Sequence, residues 1–130
     1  MLNEPIWLPI DEVIEINRAE VGETGENFAL LRPELLESAL GRPINHFHYS
    51  QDNDILRLAV LLMLALAENH PFEQGNKRTG WTAGVMFMIV NGYDIIWDSE
   101  DIAQEFVRLI EGDISIDRFE EQLVYFIKET

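Results

Sequence analysis

The sequence predicts an all-α bundle, and three observations carry that expectation. Two apolar stretches, 55–67 and 85–90 with their flanks, run longer than the ~5–6 residues of an ordinary strand. Residues that start and stop helices (Pro33, Gly41, Pro71, Gly75, Asn91-Gly92) punctuate the chain. Near the end, Ile102, Phe106, Leu109 and Ile110, then Ile116, Phe119, Leu123 and Phe126, repeat at the period of amphipathic helices.

In chain order, Pro9-Ile10-Asp11 opens a helix with Ile10, Val13, Ile14 and Asn17 on one side, ending near Gly22. Residues 22–27 form a polar, glycine-containing loop. Pro33 and Glu34 suit a first turn and Gly41 a stop, so a short helix is expected over 33–40. From Arg42-Pro43 to Asp52 the chain reads as irregular or extended, with Phe47 and Tyr49 as its aromatic residues. Asp52 or Asn53 caps a helix to about Asn69 that is apolar on most faces and therefore buried. Proline 71 ends it. A second buried helix starts near Gly75 or Asn76, runs through Trp81, Val85, Phe87, Met88 and Ile89, and stops at Asn91-Gly92. The two amphipathic helices complete the bundle.

A chain of 130 residues, 47% of them hydrophobic, is expected to form one domain, residues 1–130, with a core of its own. It has no cysteine, which excludes disulfides and thiolate metal sites and suits a reducing cytosol. The first residues lack the basic and apolar regions of a signal peptide. The longest apolar run is interrupted by Arg57 and falls short of the ~20 residues that span a bilayer. A soluble cytoplasmic protein is expected. Nine basic residues stand against 24 acidic ones, a net charge of −15, which repels nucleic acid and anionic membranes as direct partners.

Against that background, His70-Pro71-Phe72-Glu73-Gln74-Gly75-Asn76-Lys77-Arg78-Thr79-Gly80 stands out, with the only adjacent pair of cations in the chain. A histidine exchanges protons near neutral pH. A helix beginning near Asn76 offers N–H groups without intrahelical partners and a positive dipole end, both of which favour an anion. Gly75 lets a phosphate oxygen approach the backbone. Lys77 and Arg78 add full charges where acidic residues are normally preferred, and so destabilise the helix start until an anion arrives. Each feature alone also fits ordinary capping or packing. Together they place a base beside an anion cradle, which phosphoryl or nucleotidyl transfer to a hydroxyl requires.

The stretch resembles the signature of the Fic/Doc family, His-x-Phe-x-(Asp/Glu)-Gly-Asn-(Gly/Lys)-Arg. His70, Phe72, Gly75, Asn76, Lys77 and Arg78 match it position by position. The likeness extends to Leu35-Leu36-Glu37-Ser38-Ala39-Leu40-Gly41-Arg42-Pro43 and to Val90-Asn91-Gly92-Tyr93, covering about 10–96. It implies a Fic-type helical bundle with a short flap segment, at 45–50 here, that aligns a target peptide. It implies His70 as general base, Asn76 and Arg78 on phosphates, Gly75 in the anion-binding turn, and ATP with Mg²⁺. Lys77 and Trp81 look like the death-on-curing branch, in which the γ-phosphoryl group goes to a protein, an elongation factor, rather than AMP. That branch works as a toxin with a separate antitoxin.

One position departs from the pattern. Gln74 stands where the family carries the acidic magnesium ligand, and a neutral amide oxygen attracts a hard dication less. AMP transfer and a catalytically impaired scaffold that binds a partner remain the alternatives. Self-silencing members carry (Ser/Thr)-x-x-x-Glu-(Gly/Asn), and no serine or threonine here is followed four residues later by Glu. A zinc site from His46, His48 and His70 is conceivable but disfavoured without cysteine support.

Overall fold

Two helices occupy the centre, one apolar on nearly every face and the other presenting a stripe of small and apolar residues to it. In the computed structural model, which describes residues 2–96 and 100–130, α3 (Ile55–Asn69) buries every residue from Leu58 to Ala67. The Asp54 side chain caps it by accepting from the Leu56 N–H at 3.1 Å. Against it lies α4 (Asn76–Val90), whose Gly80 and Gly84 are buried. A Cβ on Gly80 would stand 2.6 Å from the Met63 carbonyl oxygen, and one on Gly84 would run into the Met63 side chain. The two glycines therefore set how closely α3 and α4 pack.

The other elements cover this pair. α1 (Ile10–Thr24) packs on α4 through Val13, Asn17 and Val21, and Gly25 closes it in the left-handed conformation. α2 (Pro33–Ser50) packs on α3. α5 (Glu100–Ile110) and α6 (Ile116–Leu123) meet each other and α3, with Phe106 and Phe119 rings 5.9 Å apart. Arg57 ties the start of α3 to α6 through Glu120, at 2.6 Å, and Asp117. The N-terminal segment is pinned by Trp7, stacked 5.7 Å from Phe87 and edge-on to Phe47. Asn91, just past α4, accepts from Ile6 N–H and donates to its carbonyl. The bulk is helical, as expected, and no described helix is long and apolar enough to cross a membrane.

Two departures from the sequence reading matter. α2 does not stop at Gly41. It runs straight through Gly41 and Pro43 to Ser50, so the segment expected to be an extended flap is helical. The buried residues Leu36, Ala39, Pro43 and Phe47 recur at three, four and four residues and form one stripe against the core. Burying Phe47 against Trp7 offsets the ~3 kcal/mol that an interior proline costs a helix. The second departure is a two-stranded antiparallel ribbon, β1 (Tyr93–Ile95) with β2 (Ile127–Glu129), which pairs Tyr93 with Glu129 and Ile95 with Ile127. A 3₁₀ turn, Val124–Phe126, leads into it from α6.

Candidate active site

α3 ends on His70, which takes the left-handed conformation (φ 50°, ψ 54°). That region is where glycine usually ends a helix, and a non-glycine residue there stores strain. The next residues are tied down. Phe72 is 2% exposed and packs on Phe28, the inward anchor its apolar character implies. The Pro71 carbonyl accepts from Leu31 N–H and Arg32 N–H, both at 3.0 Å, and Glu73 N–H donates to the Ala29 carbonyl at 2.9 Å. Leu30 thus pairs with Phe72 in an antiparallel bridge. The extended segment beside the motif is 29–32, not 45–50.

The turn from Phe72 to Asn76 is closed by one side chain. Asn76 accepts from Phe72 N–H at 3.0 Å and donates to the Phe72 carbonyl at 2.9 Å. Gly75 caps α4 in the left-handed region (φ 75°), and a Cβ there would meet Val21 Cγ1 at 3.1 Å and Asn17 Nδ2 at 3.3 Å. No acidic residue stands in the first turn of α4, so its free N–H groups and dipole face solvent without an intramolecular anion on the helix itself.

His70, Gln74, Gly75, Asn76, Lys77 and Arg78, the residues singled out by the sequence, line one cavity of about 300 Å³ together with Glu73. They do not all present their side chains alike. His70, Gln74 and Lys77 are exposed, and Lys77 has no ion pair among the described residues. The amide of Asn76 bonds both backbone groups of Phe72, which leaves its second amide hydrogen and its backbone N–H for an anion. Arg78 is engaged: its guanidinium donates to Glu26 Oε1 at 2.5 Å, to Thr24 Oγ1 at 3.2 Å and to the Glu20 carbonyl at 3.4 Å. Hydrogen bonds from Thr24 and Arg78 hold the Glu26 carboxyl below its ordinary value of 4.5. A phosphate approaching Arg78 competes with this carboxylate.

Lys77 and Arg78 also border a second groove of about 500 Å³, walled by Trp81, Thr82, Phe106 and Val107. The three histidines do not gather. His46 Nε2 lies 2.9 Å from Asp52 near the start of α3, whereas His70 ends that helix, about 22 Å away at 1.5 Å per residue. Among the described residues no group of three or more His, Cys, Asp or Glu is placed to hold a metal. The residues fit an anion; the neutral Gln74 amide and the lone Glu73 do not make a resident magnesium site.

Sequence reasoning missed Asn17, Thr24 and Glu26. Asn17 Nδ2 donates to the Gln74 carbonyl at 2.8 Å and to Thr79 Oγ1 at 3.0 Å. These contacts join α1 to the motif across 57 and 62 residues, and no local spacing announces them. A search for Glu four residues after a hydroxyl passes over Glu26, two residues after Thr24.

A helix-ending histidine facing the open N-terminus of the next helix is the arrangement that the Fic signature places in sequence. Residues 7–88, more than half of the chain, match the Fic/DOC family, and the chain belongs to it. It is similar to a protein of Escherichia phage P1, "Protein kinase doc", with 26% identity over 106 residues that make up 82% of this chain and 83% of that protein.

Proposed function

We propose that the chain is a Doc-like toxin that transfers the γ-phosphoryl group of ATP to a hydroxyl of a target protein, a translation factor being the expected class. The observation that carries this reading is the single cavity joining His70 to the N-terminus of α4 and to Lys77, which has no ion pair among the described residues. His70 takes the proton of the target hydroxyl as its oxygen bonds to the γ-phosphorus, and the bond from that phosphorus to the bridging oxygen breaks to release ADP. The Gly75 and first-turn N–H groups, Lys77 and Arg78 hold the phosphates, Arg78 by exchanging Glu26 for phosphate. Magnesium, if brought by the nucleotide, would be held mainly by its phosphates and would neutralise their charge, with Gln74 of the cavity able to offer a neutral amide oxygen. Ala29 and Leu31 bond the motif side, so the Leu30 N–H and C=O point to the opposite edge, where a target backbone can add as a strand.

Lys77 separates γ-phosphoryl from AMP transfer in this reading. Lys77→Gly is expected to slow γ-transfer at least tenfold and to admit AMP transfer, read by intact mass of the modified target (+80 Da against +329 Da, about the mass of each group). An unchanged product would break the link between Lys77 and donor choice. The neutral Gln74 and the engaged Arg78 favour one second reading, a family scaffold that binds a partner without catalysis. ATP raises the melting temperature in the first reading and leaves it unmoved in the second.

A further inference from the structure

Asn17 is the buried group that the proposed chemistry leaves unused. Its side chain is 0% exposed, it does not line the cavity, and its Oδ1 has no partner among the described residues. The buried polar side chains among those residues are Asn17, Asn76 and Thr79, and all three surround the Gln74–Gly75 turn. An apolar side chain would remove the unpartnered Oδ1 but leave the Gln74 carbonyl and the Thr79 hydroxyl without their donor.

The bonds of Asn17 say what it does. One N–H holds the Gln74 carbonyl and the other the Thr79 hydroxyl, at 2.8 Å and 3.0 Å. The Gln74–Gly75 peptide is trans, so its N–H points opposite to its C=O. With the carbonyl drawn inward to α1, the Gly75 N–H is aimed outward, where no acceptor among the described residues meets it. A Cβ on Gly75 would stand 3.3 Å from the same Nδ2, so one atom both holds the Gln74 carbonyl and crowds any side chain at position 75.

We propose that Asn17 is a positioning residue: from α1 it orients the Gln74–Gly75 peptide so that the Gly75 N–H donates to a phosphate in the His70 cavity. This rests on the phosphate reading above. It acts through the backbone and does not touch the ligand. A turn released from Asn17 is free to rotate the 74–75 peptide and lose that donor, while the charges of Lys77 and Arg78 stay in place.

The test is a titration of the ¹⁵N-labelled protein with inorganic phosphate and with ATP, following the Gly75 amide resonance. In the natural chain the Gly75 signal is expected to shift with both ligands. In Asn17→Leu the shift is expected to collapse and the dissociation constants to rise at least tenfold. Val13→Ala, which hollows the same helix without touching the turn, serves as the control and should change affinity less than threefold despite a lower melting temperature. If Asn17→Leu does not fold, Asn17→Asp, of equal size but without the N–H donors, decides instead. Natural affinity and a natural Gly75 response in a folded Asn17 variant would overturn the positioning role alone. A Gly75 signal that ignores phosphate in the unaltered chain would bring down the phosphate reading, and this role with it.

Discussion

At the residue scale, strain and function meet on His70. A left-handed non-glycine residue costs about 1–2 kcal/mol, and the fold places one at the mouth of the cavity. His70→Gly is therefore expected to raise stability by about 1 kcal/mol in chemical denaturation while abolishing transfer. A variant that is both less stable and active would show that the histidine is there for the turn. The motif residues were legible one by one, because a base, a glycine and adjacent cations in an acidic chain signal their chemistry locally. Their partners were not. Asn17 on α1 and Glu26, just past its Gly25 cap, reach the motif across 52 residues or more, and only the packing of α1 on α4 brings them there.

At the scale of elements, the buried helices were legible because 55–67 has no face to offer water, and caps at Asp54 and Gly75 mark their starts within a residue or two. α2 was not. Gly41 and Pro43 are local stop signals, and a stripe of buried side chains overrode them. The β1–β2 ribbon escaped notice because each strand has three residues and their partners lie more than 30 residues apart. Glycines 80 and 84 carry a prediction of their own. Gly80→Ala puts a methyl against the rigid Met63 carbonyl, which forces α4 away from α3 and should cost about 1–3 kcal/mol. The proposed nucleotide site should loosen with it, since α4 begins at the cavity. Natural stability in this variant, measured by denaturant unfolding, would mean that the two helices are not in such close contact.

At the scale of the molecule, charge sets the response to acid. With a net charge of −15 and a pI near 4.3, protonation on the way down from neutrality first relieves self-repulsion. Two carboxylates oppose this further down. Glu26 lies below its ordinary 4.5 through Thr24 and Arg78. Burial pushes Asp52 up, but the Asp54 N–H and His46 outweigh it and hold it below 3.8. A carboxyl with a depressed folded pKa adds stability that is present above its unfolded value and lost as pH falls through the folded one. The melting temperature should therefore fall below about pH 4, and less steeply in Glu26→Gln/Asp52→Asn. Equal acid slopes in the two proteins would contradict the pairing.

The proposed function sets His70 as base beside an anion cradle at the start of α4, and the most direct measurement asks which part of ATP is transferred. Purified protein is incubated with bacterial lysate, Mg²⁺ and ATP labelled at either the γ- or the α-phosphate, with His70→Ala in parallel. A protein band labelled from γ alone and absent with His70→Ala is the expected result. A band labelled from α, or a γ-labelled band that survives His70→Ala, would contradict the proposed function.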